Sequence, residues 1–387
     1  MSVILLSAPE LAGDELRYVN ECIEAGWVST AGPFVDRFEK ALAAWVESPF
    51  GVATASGTAA LQIALLTSGV RPGDQVLVST LSYIAPANAV HYVGAQPVFV
   101  DAEPDYWQMD VLKAAEYLRR QCRRDGKGTL DTATGHRVRA ILAVHILGHP
   151  CDMEAILDLA REFDLVVVED ATQSLGARYA GRPVGSIGDI GCFSFNGNKL
   201  ITTGAGGMLV TGNEAWASRA RYLISQAKDD PVEYVHGEIG YNYRLSNLAA
   251  AVGCAQLERI EEHLAAKRRN AASYAAAFED IPGVLPVPHA DRVESAFWLY
   301  TVLIDPVAYG MDSRSLLHAL AREGIETRPL WQPLHLSAPH ASSPATGCEV
   351  SEDLFRRALS LPSSVGLTEE QQARVIAAVW SHASPAE

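Results

Sequence analysis

Between residues 50 and 212 the chain alternates short apolar runs with helical stretches, and this alternation constrains the fold more than any other feature. Phe50–Ala53, Gln75–Thr80, Gln96–Asp101, Val138–His145, Leu165–Asp170 and Gly206–Thr211 read as strands, with amphipathic segments between most of them. Parallel strands need long crossover connections, so the pattern predicts a mostly parallel sheet covered by helices on both faces. The run Leu165-Val-Val-Val-Glu-Asp170 has the look of a strand buried on both sides, with Asp170 at its carboxyl edge. Ligands sit at that edge in open α/β sheets.

A second stretch, Ser194-Phe-Asn-Gly-Asn-Lys199 through Gly207, opens a strand into a loop of small residues around one lysine. Desolvation lowers the pKa of such an amine toward Schiff-base chemistry. A lysine of this kind with an acid to hold a ring nitrogen protonated is how proteins handle pyridoxal phosphate. Singly, each signal has an ordinary reading: the aspartate caps a helix and the lysine is solvated. Ser56-Gly57-Thr58 before the helical run Ala59–Thr67 offers free amides for an anion, or a plain cap. Tyr83 places a ring at the sheet edge, to stack on a planar cofactor or to pack in the core. His145, His149 and Cys151 lack a completing acid or cysteine pair, so no metal is expected there.

With 387 residues and a formal charge of −15, the chain is a poor binder of nucleic acid or anionic membrane. The densest basic cluster, Arg119 to Arg124, reads as one solvated helix end. Six cysteines without a CxxC pair read as reduced thiols, and no signal peptide or spanning segment is visible, so a cytoplasmic protein is expected. Neither GxxxxGK[ST] nor GxGxxG is present in the right context. A polar loop runs to Thr134, one helical run extends from Ser246 toward Phe278, and 336–348 reads as a mobile surface loop. The long run suggests a bridge between a large domain, 1–261, and a smaller α+β domain, 262–387.

Taken together, Ser56-Gly-Thr-Ala-Ala-Leu, Glu169-Asp-Ala-Thr-Gln173, Ser194-Phe-Asn-Gly-Asn-Lys199 and Gly240-Tyr-Asn-Tyr-Arg-Leu245 resemble the DegT/DnrJ/EryC1/StrS sugar aminotransferases. The resemblance runs nearly the whole chain and implies an aspartate-aminotransferase-like fold, pyridoxal phosphate fold type I. It implies that Lys199 bonds to the cofactor and moves the proton, that Asp170 pairs with the pyridine nitrogen, and that Gln173 contacts the ring hydroxyl while Tyr83 stacks on the ring. Gly57, Thr58 and Ser194 would meet the phosphate, with Asn242 reaching in from a neighbouring subunit, hence a homodimer with shared sites. Relatives with histidine at the lysine position dehydrate; Lys199 implies transamination from an amino acid, L-glutamate, to a keto-sugar. Asn196 and the run Arg328-Pro-Leu-Trp-Gln-Pro-Leu-His335 are similar to the subgroup acting at C4 of UDP-4-keto-6-deoxy-GlcNAc, although Gln332 replaces that subgroup's basic residue. A C3- or C4-aminotransferase on a dTDP- or GDP-linked sugar, and a non-catalytic regulatory protein on the same scaffold, are the alternatives. Arg244 is a candidate for the sugar diphosphate or for an interface salt bridge, and His335 for sugar contact or packing.

Overall fold

A computed structural model describes residues 3–383 apart from Pro231 and Pro288. Among the described residues the main sheet has nine strands, seven of them in one continuous row: β1 (Phe50–Thr54), β2 (Gln75–Ser79), β3 (Gln96–Val100), β4 (Arg137–Val144), β5 (Val166–Asp170), β6 (Ile190–Ser194) and β7 (Gly207–Thr211). Their order is β1-β7-β6-β5-β4-β2-β3. The five strands from β6 to β3 run parallel, and β7 lies antiparallel between β6 and β1. Helices cover both faces. On one side α1 (Glu15–Glu24), α2 (Pro33–Trp45) and Met153–Phe163 pack with the strands, and on the other α3 (Gly57–Thr67) and Glu214–Ile224. The expected α/β sheet is therefore present, with every residue of β2 buried.

A third core gathers Tyr274, Phe278, Tyr300, Tyr309 and Val375, and takes in Ile4 from the start of the chain. It lines a four-stranded antiparallel sheet in the order 284–286, 300–304, 358–361, 328–329.

Three expectations fail. The single long helix is two, Asn247–Glu258 and Ile260–Phe278, separated at Arg259 with φ −109° and ψ 10°. No glycine or proline marks that break in the sequence. The polar loop before Thr134 is a hairpin, Cys122–Asp125 with Gly128–Asp131, whose second strand pairs with β4. Arg123 and Arg124 thus lie on a strand and not at a helix end. Asp131 turns the chain there by accepting from the Tyr117 hydroxyl at 3.0 Å and the Ala133 amide at 2.8 Å. The supposed mobile loop 336–348 is seated on the sheet: Phe99 N–H donates to the Pro344 carbonyl and Thr346 N–H to the Phe99 carbonyl, both at 2.8 Å. An exposed edge strand seeks such pairing, and here β3 finds it.

At the centre, Glu169 is fully buried yet accepts from the amides of Gly185, Ile187 and Gly188 at 2.6–2.8 Å and meets His145 Nε2 at 3.0 Å. The Cys151 amide donates to His145 Nδ1 at 3.0 Å, so the imidazole proton sits on Nε2 and points at Glu169. Burial works against the carboxylate, but these donors outweigh it and hold the carboxyl below its ordinary 4.5. Its stabilisation is complete above that value and is lost as pH falls through the lower folded value. Glu169→Gln is expected to cost about 3 kcal/mol at pH 7. In denaturant melts the gap to the parent should narrow below pH 4.5.

Candidate active site

The carboxyl ends of β5 and β6 and the N-terminus of α3 converge on a cavity of about 420 Å³. Lys199 and Asp170 are the charged residues among those lining it, and Gly57, Thr58, Tyr83, Gln173, Ser194 and Asn196 lie on the same wall set. Asn242, Arg244 and His335 are not brought there. Asn242 bridges Ser225 and Arg244 bridges Thr54, both exposed on the surface. His335 takes Thr80 Oγ1 at 2.8 Å on Nδ1 and approaches Glu352 at 3.3 Å on Nε2.

Each lining group has a local reason for its place. Asp170 ends β5, is 2% exposed, and accepts from the Thr172 amide at 3.0 Å. Burial pushes its carboxyl up, and that hydrogen bond with the charge of Lys199 opposes the rise. Lys199 follows a turn closed by its own amide to the Asn196 carbonyl. The loop is pinned by Phe195, packed edge-on against Phe38 at 5.0 Å, and by Gln256, which accepts from the Thr202 amide. Withdrawal from water lowers the Lys199 amine to about 8, with Asp170 pulling the other way. The carbonyl of Gln173 is taken by the Leu147 amide at 2.9 Å, which leaves its NH₂ for the cavity.

The anion end is built by close approach. Ser56 caps α3 by accepting from Ala59, so the amides of Gly57 and Thr58 stay outside the helix ladder. A Cβ at Gly57 would lie 2.6 Å from Ser194 Cβ, and one at Gly207 2.5 Å from the Ser56 carbonyl. Both contacts are forbidden, so glycine is what lets helix and strand meet. Ser82 Oγ, in the same lining, is buried with no hydrogen-bond partner among the described residues. Amides, hydroxyls, a depressed amine and a buried acid around one chamber fit pyridoxal phosphate.

Sequence reasoning missed Trp298, Trp331 and Asn198 as lining residues. Trp298 lies in the apolar run 297–304, and nothing local distinguishes it. Among the described residues no His/Cys/Asp/Glu group could hold a metal, and no helix is long and apolar enough to cross a membrane. All six cysteines are free.

Fold and cavity define an α/β enzyme of the pyridoxal-phosphate aminotransferase class. The DegT/DnrJ/EryC1/StrS aminotransferase family model matches residues 9–380, so the chain belongs to that family. It is a pyridoxal phosphate-dependent aminotransferase of nucleotide-linked sugars. It is similar to EpsN of Bacillus subtilis (strain 168), 41% identical over 96% of this chain and 94% of EpsN. It is similar also to the GDP-perosamine synthase of Caulobacter vibrioides, 39% identical over 97% of both chains. The crystal structure of Streptomyces venezuelae DesV in complex with a ketimine intermediate superposes with a TM-score of 0.86 at 32% identity, covering 97% of this chain and 95% of that one.

Gly57→Ala is expected to weaken pyridoxal phosphate binding at least tenfold, about 1.4 kcal/mol, in absorbance titrations. Gly126→Ala, where an added Cβ meets nothing, should leave it unchanged.

Proposed function

We propose that the chain transfers an amino group from L-glutamate to C4 of a nucleotide-linked 4-keto-6-deoxy sugar, with UDP-4-keto-6-deoxy-GlcNAc as the first substrate to test. The observation that carries the reading is the placement of the Lys199 amine and the Asp170 carboxyl on one chamber beside a free helix N-terminus. Bound there, pyridoxal phosphate supplies an electron sink and a carrier for the amino group. Lys199 holds the cofactor and, when displaced by substrate, takes and returns the proton; an amine near 8 suits that exchange at neutral pH. Asp170 would keep the ring nitrogen protonated, and the low polarity around it would strengthen the pair. Gln173, with its NH₂ free, would serve the ring hydroxyl, and Tyr83 would stack on the ring. Gly57, Thr58 and Ser194 would hold the phosphate dianion by amides and a hydroxyl, without a cation.

Asn196 and Trp331, which line the chamber, support the sugar reading through the motifs they belong to. The hydrogen bonds of His335 to Thr80 and Glu352 support packing over sugar contact. Asn242 and Arg244 act from a second copy of the chain, the Arg244 guanidinium on the sugar diphosphate. Their exposure, with that of Val232, Tyr234, Val235 and Ile239 on the preceding segment, supports a homodimer.

A GDP-linked 4-keto-6-deoxy sugar is the second reading, favoured by the likeness to the GDP-perosamine synthase. Purified protein with L-glutamate and a panel of UDP-, GDP- and dTDP-linked 4-keto-6-deoxy sugars is expected to release 2-oxoglutarate, with the new amine at C4 by NMR. An amine at C3 would overturn the regiochemistry, and no 2-oxoglutarate with any sugar would overturn the reaction. Lys199→Ala should abolish turnover. Mixing Lys199→Ala with Asn242→Ala chains should restore part of it, because a hybrid dimer contains one complete site.

A further inference from the structure

Two indoles line the chamber, and one of them touches the reactive amine. The Lys199 ammonium lies 4.0 Å from the centroid of the Trp298 ring. Asp170, from the end of β5, is the charged group that faces this amine, and Tyr83 stands at the rim; no other titratable side chain lines the cavity among the described residues.

The backbone that presents the indole is strained and held from several sides. Phe297 has φ +45°, a left-handed conformation that bulky residues avoid. Such strain persists only where surrounding contacts over-determine it, and it concentrates at functional sites. The contacts are explicit. Ser295 Oγ donates to the Gly148 carbonyl and accepts from the Phe297 amide, each at 3.0 Å. A Cβ on Gly148, itself at φ +93°, would lie 2.7 Å from the Phe297 nitrogen and 2.8 Å from that of Trp298. Lys267, 2% exposed, donates to the Trp298 carbonyl at 2.9 Å and to the Ser363 carbonyl. A buried lysine that meets, among the described residues, only carbonyls is costly, and burial lowers its amine to about 7. Finally, Trp298 Nε1–H donates to the Asn198 carbonyl at 2.7 Å, one residue before the reactive lysine. Backbone, ring edge and ring face are all fixed, and the ring face is what Lys199 meets.

We propose that Trp298 is a positioning residue whose indole face localises the Lys199 ammonium after the displaced amine has taken up its proton, until that proton is returned, and that Lys267 is the strut that fixes this face. The inference rests on the reading of Lys199 as the cofactor lysine. Each half-reaction displaces that lysine and later needs it back at the same place. A free four-carbon ammonium would otherwise explore the chamber, and the negative face of an indole both localises it and favours its protonation.

The test separates ring electronics from ring shape. The full chain, freed of cofactor, is prepared with tryptophan and with its mono- and tetrafluoro analogues, which keep the shape while draining the ring face. Lys199 protonation is read from the pH dependence of its acetylation by mass spectrometry. The protonation constant should fall stepwise with fluorination, by roughly threefold in all. The same series in a Trp298→Phe chain should be flat. An unchanged constant in the parent series overturns the proposal, as does an equal trend in the Trp298→Phe chain. For the strut, Lys267→Met should lower kcat with KM for the amino donor unchanged, and should lower the Lys199 protonation constant. A fall in Tm with kcat and that constant both unchanged overturns the strut. The titration uses neither sugar nor cofactor, so a wrong substrate assignment leaves its outcome readable. Failure of hydride to trap the cofactor on Lys199 would sink the underlying reading instead.

Discussion

Two carboxylates next to each other on one strand organise this molecule, and they point opposite ways because successive side chains on a strand face opposite sides. Glu169 turns into the protein, where three amides and the Nε2–H of His145 satisfy it and tie β5 to the 185–188 turn. Asp170 turns toward the chamber, where one amide is its hydrogen-bond partner from the backbone. The first is an anion made comfortable, and so it fixes structure. The second is an anion left under-satisfied, and so it has electrostatic work available for a ligand.

The same economy governs the anion end. At the N-terminus of α3 the Ser56 cap leaves backbone amides and the positive end of the helix free to attract an anion without a cation beside them, provided helix and strand come close enough to enclose the group. That proximity is a steric matter. It is set by the missing side chains at Gly57 and Gly207 more than by any favourable contact. Among the described residues Lys199 is the one cation lining the cavity, with Asp170 as the charged group and Trp298 as the ring that face it.

Much of this was legible in the chain. Lys199, Asp170, Gly57, Thr58, Gln173 and Ser194 lie in short motifs where a strand end or a helix start dictates which groups are exposed, and the structure gathers them on one chamber. Local rules failed where long-range contact decides. Residues 336–348 carry loop composition, yet the unpaired edge of β3 orders them. The interruption at Arg259 has no glycine or proline to announce it. Trp298 lies 99 positions from Lys199, inside a run that any pattern assigns to a strand.

By itself the sequence determined the α/β class and marked Asp170 at a strand edge and Lys199 in its loop, because periodicity and short motifs are properties of neighbouring residues. Only the tertiary structure decided which side chains flank that pair, that an indole and not a carboxylate lies against the amine, and that a lysine buried elsewhere supports it. Those facts depend on strained backbone and on contacts between distant segments, which no local pattern encodes.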